Sequence, residues 1–200
     1  MNPTRQLHDL GKTLAGLAGE ALFTELALED LRRAADLFRP VFDSTDQTDG
    51  WVSMEISPLL AADTAGSVAA ARQIHDQAQR ANLFVKIPGT PQGVAAIEQA
   101  IFLGIPINVT LLFSCAQYQS AADAYLRGIE RRLAADLDPR VGSVAALFIS
   151  RCDVAGNAQL PADLHPTLGL AVARPTYPSY HGPRASSGDT QSRRAAAPPP

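Results

Sequence analysis

Lysine is nearly missing from this 200-residue chain. It occurs only at Lys12 and Lys86, although arginine is common. Cysteine is equally scarce: Cys115 and Cys152 supply neither a disulfide framework nor metal-site spacing, and they read as reduced, packed thiols of a cytoplasmic protein. There is no excess of positive charge. Seventeen basic against 20 acidic residues give a formal charge of −3, which argues against a nucleic-acid-binding protein, where a basic stripe is expected. The longest apolar run, Ile101 to Phe113, is broken by Gly104, Pro106 and Asn108. It falls short of the roughly 18 apolar residues of a membrane span, so no membrane partner is expected. No G-x-G-x-x-G follows a strand and no Walker loop is present, which weakens the nucleotide-binding readings. His8, His75, His165 and His181 show no ligand spacing. Asp9 and Glu20 interrupt the opening segment, so a secretory signal is not expected.

What is present fits one aliphatic-rich domain. ELALEDLRRAADLFRPV places Leu28, Leu31, Ala35 and Phe38 on one face of a helix that Pro40 is expected to end. WVSMEIS alternates, with Val52, Met54 and Ile56 opposite Trp51, Ser53, Glu55 and Ser57, and reads as a strand. GSVAAARQIHDQAQR is a helix and NLFVKIP a second strand. Thr90 with Pro91 then forms an N-cap and first helical position. INVTLLF is a third strand, Cys115 to Ala135 a further helix, and VGSVAALFIS a fourth strand. Strict β-α alternation predicts a parallel sheet with right-handed crossovers, either doubly wound or part of a (β/α)8 barrel. The expected divisions are an N-terminal segment at 1–24, the βα units at 25–173, and a Pro/Arg/Ser/Ala-rich tail at 174–200 that reads as disordered.

Lys86 stands out chemically. It lies near the C-terminal end of an apolar strand, the end that carries chemistry in parallel βα folds. Lysine's ordinary pKa near 10.4 leaves roughly one amine in a few thousand neutral at pH 7, and burial lowers such values by about 3 units. A neutral amine attacks a carbonyl to form a Schiff base. A lysine snorkelling at the strand end, or paired with Glu55, is the alternative. Glu55 is expected on the Lys86 side of the sheet, as a base or proton relay or as a structural ion partner. Asn108 and Thr110 present an amide and a hydroxyl on one face of the third strand, suited to orienting a water or substrate hydroxyl or to satisfying a barrel interior's own polar groups. Arg151, expected to close the fourth strand, either binds phosphate or caps it.

Taken together, these segments resemble transaldolase. AADLFRPVFDSTDQTDGWVSMEIS, LFVKIPGTPQGVAAIEQA, INVTLLFSCAQY and SVAALFISRCD follow the family's central part in order and spacing, through the blocks K-I-P-x-T-x-x-G and N-x-T-L-L-F-S. MNPTRQLHDLG and LPADLHPTLGLAVAR resemble further family segments. The resemblance implies an α/β fold, a partial (β/α)8 barrel of about four parallel βα units shortened at both ends. It implies no metal and no cofactor. By motif, Lys86 would be the Schiff-base lysine, Glu55 and Thr110 would hold a proton-moving water, and Asn108 would contact substrate hydroxyls. Phe148 and Arg151 match an aromatic and a phosphate-side arginine. The implied activity is transfer of a dihydroxyacetone unit in the pentose phosphate pathway. Its implied partners are fructose 6-phosphate, sedoheptulose 7-phosphate, erythrose 4-phosphate and glyceraldehyde 3-phosphate. Three features of the family pattern are absent: the W-L-D aspartate, the T-S-N-P asparagine, and a serine where Ala146 stands. Two other readings stay open, a simple Schiff-base aldolase and a non-catalytic fragment that self-associates through open sheet edges.

Overall fold

The structure, a computed structural model, describes residues 19–165 and 167–181. The opening MNPTRQLHDLG, Lys12 and the tail beyond residue 181 lie outside the described residues. Helix α1 (Gly19–Ser44) buries Leu28, Ala35 and Phe42, seven residues apart, along one stripe. Pro40 does not end it; the helix continues to Ser44. A proline inside a helix removes one backbone bond. Here tertiary packing offsets that loss, because Phe42, 3% exposed, meets the Trp51 ring edge-on at 4.9 Å. The following turn returns so closely that a Cβ on Gly50, whose φ is +78°, would collide with the Phe42 backbone nitrogen.

Strand β1 (Val52–Glu55) leads through a 3-10 turn at Pro58–Leu60 to helix α2 (Thr64–Ala78). Asp63 caps α2 by accepting from Gly66 N at 3.0 Å, and Ser67, Ala71, Ile74 and Ala78 form its buried stripe. Strand β2 (Leu83–Pro88) is buried at every position except Lys86. Helix α3 (Pro91–Phe102) begins as its sequence predicts, with Thr90 Oγ1 accepting from Gly93 N at 3.0 Å. Strand β3 (Ile107–Leu112), helix α4 (Cys115–Ala134) and strand β4 (Ser143–Leu147) follow. Helix α5 (Ser150–Asn157) and helix α6 (Leu168–His181) complete the described residues.

Two sequence expectations are corrected here. Arg151 does not close the fourth strand; β4 stops at Leu147, and Arg151 is the second residue of α5. Residues 174–181, expected to be disordered, continue α6 through Pro175 and Pro178. Composition hides that helix, whereas docking stabilises it. It packs on α4 and α5, Thr176 is 5% exposed, and Thr176 Oγ1 donates to Val172 O at 2.8 Å.

The four strands are parallel and stand in the order β1-β2-β3-β4. Helices α1 to α4 pack in the same succession, each on its chain neighbour. A doubly wound sheet reverses strand order partway across. This single direction of winding is that of a (β/α)8 barrel, four of whose strands lie among the described residues. The helix-facing side carries Leu83, Val85, Ile87, Ile107 and Val109, all at most 2% exposed. The other, concave side carries Ser53, Glu55, Lys86, Asn108 and Thr110 together with Phe84 and Val144, so sheet alternation sets a mixed face with a polar row against the apolar core. Arg127 and Arg131 of α4 reach Glu98 of α3 at 2.7 and 3.1 Å, and these bonds hold the Glu98 carboxyl below the usual carboxylate range.

Asn82, fully buried, ties the parts together. Its Nδ2 donates to Ala35 O in α1 and to Gly50 O before β1, each at 2.9 Å. Asn82→Ala removes the side-chain donor to the buried Gly50 carbonyl oxygen, at about 1–3 kcal/mol, and a second bond to Ala35 O, which keeps its place in the α1 ladder. Relief of Asn82 Oδ1, which has no partner among the described residues, offsets part of that. The expected loss is about 1–3 kcal/mol, read as a lower urea midpoint with unchanged slope.

Candidate functional site

Strand register assembles the site. Glu55 of β1 stands opposite Lys86 of β2, and Lys86 opposite Asn108 of β3. The three side chains therefore form one row across the concave face. Lys86 Nζ lies 3.5 Å from Glu55 Oε2. The Lys86 side chain is 27% exposed and that of Glu55 46% exposed, so the amine is not stripped of water as its apolar strand suggested. Physically, β2 is buried on both faces, Phe84 and Pro88 included on the side of Lys86, while that side is open beside Lys86 towards Glu55.

Thr110 lies two residues beyond Asn108 on the same face, opposite Pro88. It is 1% exposed, and its Oγ1 has no hydrogen-bond partner among the described residues; neither has Asn108 Oδ1. Unpartnered buried acceptors are uncommon and cost about 1–3 kcal/mol apiece. Two of them on β3, one opposite Lys86 and one opposite Pro88, mark the part of the sheet where a water or ligand hydroxyl is wanted. Beyond Thr110 the strand departs from plain alternation. Leu111 has φ +58°, and the β3–β4 register shifts between Val109 and Leu112. Such an irregularity re-aims the strand end.

Phe148 and Arg151 form a second group past the ends of β3 and β4. Phe148 N donates to Leu112 O at 2.8 Å, and the Phe148 ring meets Phe113 edge-on at 5.5 Å. The Arg151 guanidinium stacks 4.4 Å over the Phe148 ring. The structure thus brings Phe148 and Arg151 together, and Glu55, Lys86 and Asn108 together. Among the described residues no ion pair or hydrogen bond joins the two groups.

Sequence reasoning placed Ser53 on the polar face of β1 but gave it no role. In the structure Asn108 Nδ2 donates to Ser53 Oγ at 3.3 Å, passing over β2. Barrel interiors are built this way, in layers contributed by alternate strands. The available signal was the spacing Ser53–Glu55, which puts both on the face of the lysine. Tyr125 is a strut: burial pushes its phenol up to about 12, and its hydroxyl donates to Val141 O at 3.0 Å. Among the described residues no cluster of His, Cys, Asp and Glu is arranged to hold a metal ion, and no helix is long and apolar enough to cross a membrane.

A singly wound parallel sheet with an amine and a carboxylate on its concave face defines a barrel protein of the lysine-bearing kind. The family described as "Transaldolase/Fructose-6-phosphate aldolase" matches residues 4–191, and the chain belongs to that family. It is 43% identical to "Transaldolase" of Thiobacillus denitrificans, over 80% of this chain and 47% of that protein. It is 41% identical to "Transaldolase 1" of Streptomyces avermitilis, over 88% of this chain and 48% of that protein. With "Transaldolase" of Thermobifida fusca the identity is 38%, over 97% of this chain and 54% of that protein. The chain spans about half the length of the curated relatives it matches.

Proposed function

We propose that this chain carries the Schiff-base half of a transaldolase site and transfers a dihydroxyacetone unit between a ketose phosphate and an aldose phosphate. The observation that supports this most directly is the row Glu55–Lys86–Asn108, with Nζ 3.5 Å from a carboxylate oxygen. Lys86 Nζ, once deprotonated, adds to the C2 ketone of fructose 6-phosphate or sedoheptulose 7-phosphate, and loss of water gives the iminium. Removal of the C4 hydroxyl proton breaks C3–C4 and releases glyceraldehyde 3-phosphate or erythrose 4-phosphate. The electron pair of that bond passes into the iminium as an enamine. Addition of the enamine to a second aldose phosphate, then hydrolysis, returns the amine. Glu55, with a water held at Thr110 Oγ1, moves the protons of iminium formation and hydrolysis. Asn108 binds a hydroxyl of the three-carbon unit. Phe148 orders Arg151, whose guanidinium takes the phosphate.

Borohydride reduction in the presence of fructose 6-phosphate tests this. An adduct on Lys86 is expected, carrying the three-carbon unit where C3–C4 has broken and the whole ketose where it has not. Erythrose 4-phosphate added before borohydride is expected to discharge the three-carbon adduct. Release of dihydroxyacetone without acceptor would instead define a simple aldolase. Adducts confined to Lys12, or none, overturn the proposal. Absence of adduct together with concentration-dependent assembly would favour the second reading, self-association. Its support is that β1 and β4 have no further strand beside them among the described residues.

A further inference from the structure

An asparagine side chain is chemically two-ended, with a donor NH2 and an acceptor oxygen, so its neighbours decide which end a ligand meets. Asn108 has one such neighbour. Its Nδ2 donates to Ser53 Oγ at 3.3 Å, and its Oδ1 is buried without a partner among the described residues. Ser53 belongs to neither the core nor a cap. It is exposed, it sits opposite Phe84 in the β1–β2 register, and it is separated from Asn108 by the whole of β2. A surface serine of this kind contributes within about 0.5 kcal/mol to stability. Its bond therefore matters for where the Asn108 amide points.

We infer that Ser53 is a positioning residue: by holding Asn108 Nδ2 it turns Oδ1 into the end offered to a hydroxyl of a polyhydroxy ketone bound at Lys86. The inference rests on the proposed role of Lys86 as the Schiff-base lysine. The ligand class follows from the chemistry. Oδ1 lacks a donor, Asn108 stands opposite Lys86, and a ketone condensing with Nζ brings the hydroxyl next to its carbonyl into that row. Without Ser53 the amide rotates about its last torsion, and the carbonyl end is no longer fixed.

The test compares the unaltered chain with Ser53→Ala and Ser53→Thr by borohydride trapping at subsaturating ketone. The probes are dihydroxyacetone, which has the hydroxyls, and acetone, which has none. Ser53→Ala is expected to lower trapping of dihydroxyacetone about tenfold, the equivalent of one hydrogen bond, and to leave trapping of acetone unchanged. Ser53→Thr, which keeps the hydroxyl, is expected to restore the preference. An equal fall for both ketones, or no fall, overturns the inference, because a merely structural serine does not distinguish the probes. Failure of the unaltered chain to trap either ketone at Lys86 overturns the Schiff-base reading itself, so the two failures are told apart. Far-UV circular dichroism of each variant checks that the fold is kept.

Discussion

Lys86→Met is expected to reduce capture of a ketose phosphate by borohydride to background, while stability changes by less than about 1 kcal/mol. The two halves of that expectation come from different atoms of the same residue. Among the described residues the amine is the only group able to add to a ketone and remain bonded to it as an iminium. Its contribution to folding is small, because the 3.5 Å contact with Glu55 is partly exposed on both sides, and such pairs contribute at most about 1 kcal/mol. Much of the burial that stabilises β2 belongs to Val85 and Ile87, both 0% exposed, which point the other way. Methionine keeps the length and apolar stem of lysine and removes only the amine. Lys86→Arg is the control: it keeps a cation beside Glu55, yet a guanidinium stays protonated and does not condense. Mass spectrometry of the reduced adduct and a urea unfolding curve read the two quantities separately. Continued capture by Lys86→Met would assign the nucleophile to Lys12 or the α-amine. A loss of several kcal/mol would make Lys86 a structural anchor.

Gly93→Ala is expected to destabilise the chain by about 3 kcal/mol or more. Helix propensity alone predicts the opposite, since Gly93 sits in the first turn of α3 and alanine is favoured over glycine by about 1 kcal/mol within helices. Sterics decides the sign. A Cβ at Gly93 would collide with the Pro88 carbonyl oxygen and come within 3.0 Å of Thr90 Oγ1. The first is backbone at the end of β2 and cannot swing aside as a flexible side chain would. The second is the cap of α3, which accepts from Gly93 N at 3.0 Å and donates to Ala61 O at 2.7 Å. Accommodation requires unwinding the first turn of α3 or moving Pro88, two residues beyond Lys86; overpacking and cap loss together reach the stated size. The denaturation midpoint measures it. Unchanged or increased stability would show that the β2–α3 junction yields easily.

Features encoded locally were readable from the chain. Thr90 and Pro91 announce α3 because a side-chain oxygen followed by proline is complete within a few residues. The alternation of Val52 and Met54 with Ser53 and Glu55 fixed the face of the carboxylate, and parallel register then brought it to Lys86. Features that depend on distant partners were not readable. Pro40 looks like a helix end until Trp51 is seen against Phe42. Pro175 and Pro178 look like a disordered tail until the helix is seen docked on α4. The Ser53–Asn108 bond spans 55 residues and skips a strand, so neither residue's neighbours announce it. Nothing local to Leu111 forecasts its positive φ. Strand order could not be counted from the sequence either, and it is what decides between a doubly wound sheet and a barrel.

The backbone around Lys86 is gripped from both sides. Its carbonyl accepts from Ile56 N at 3.2 Å, and the flanking Val85 N donates to Pro106 O at 3.0 Å. The root of the side chain is thereby immobilised by two neighbouring strands before any ligand arrives. Whatever search the nitrogen makes for a carbonyl is a rotation of a short aliphatic tether about a stationary pivot. The entropic toll of reaching a reactive alignment is confined to those few torsions, having been settled for the main chain when the sheet formed.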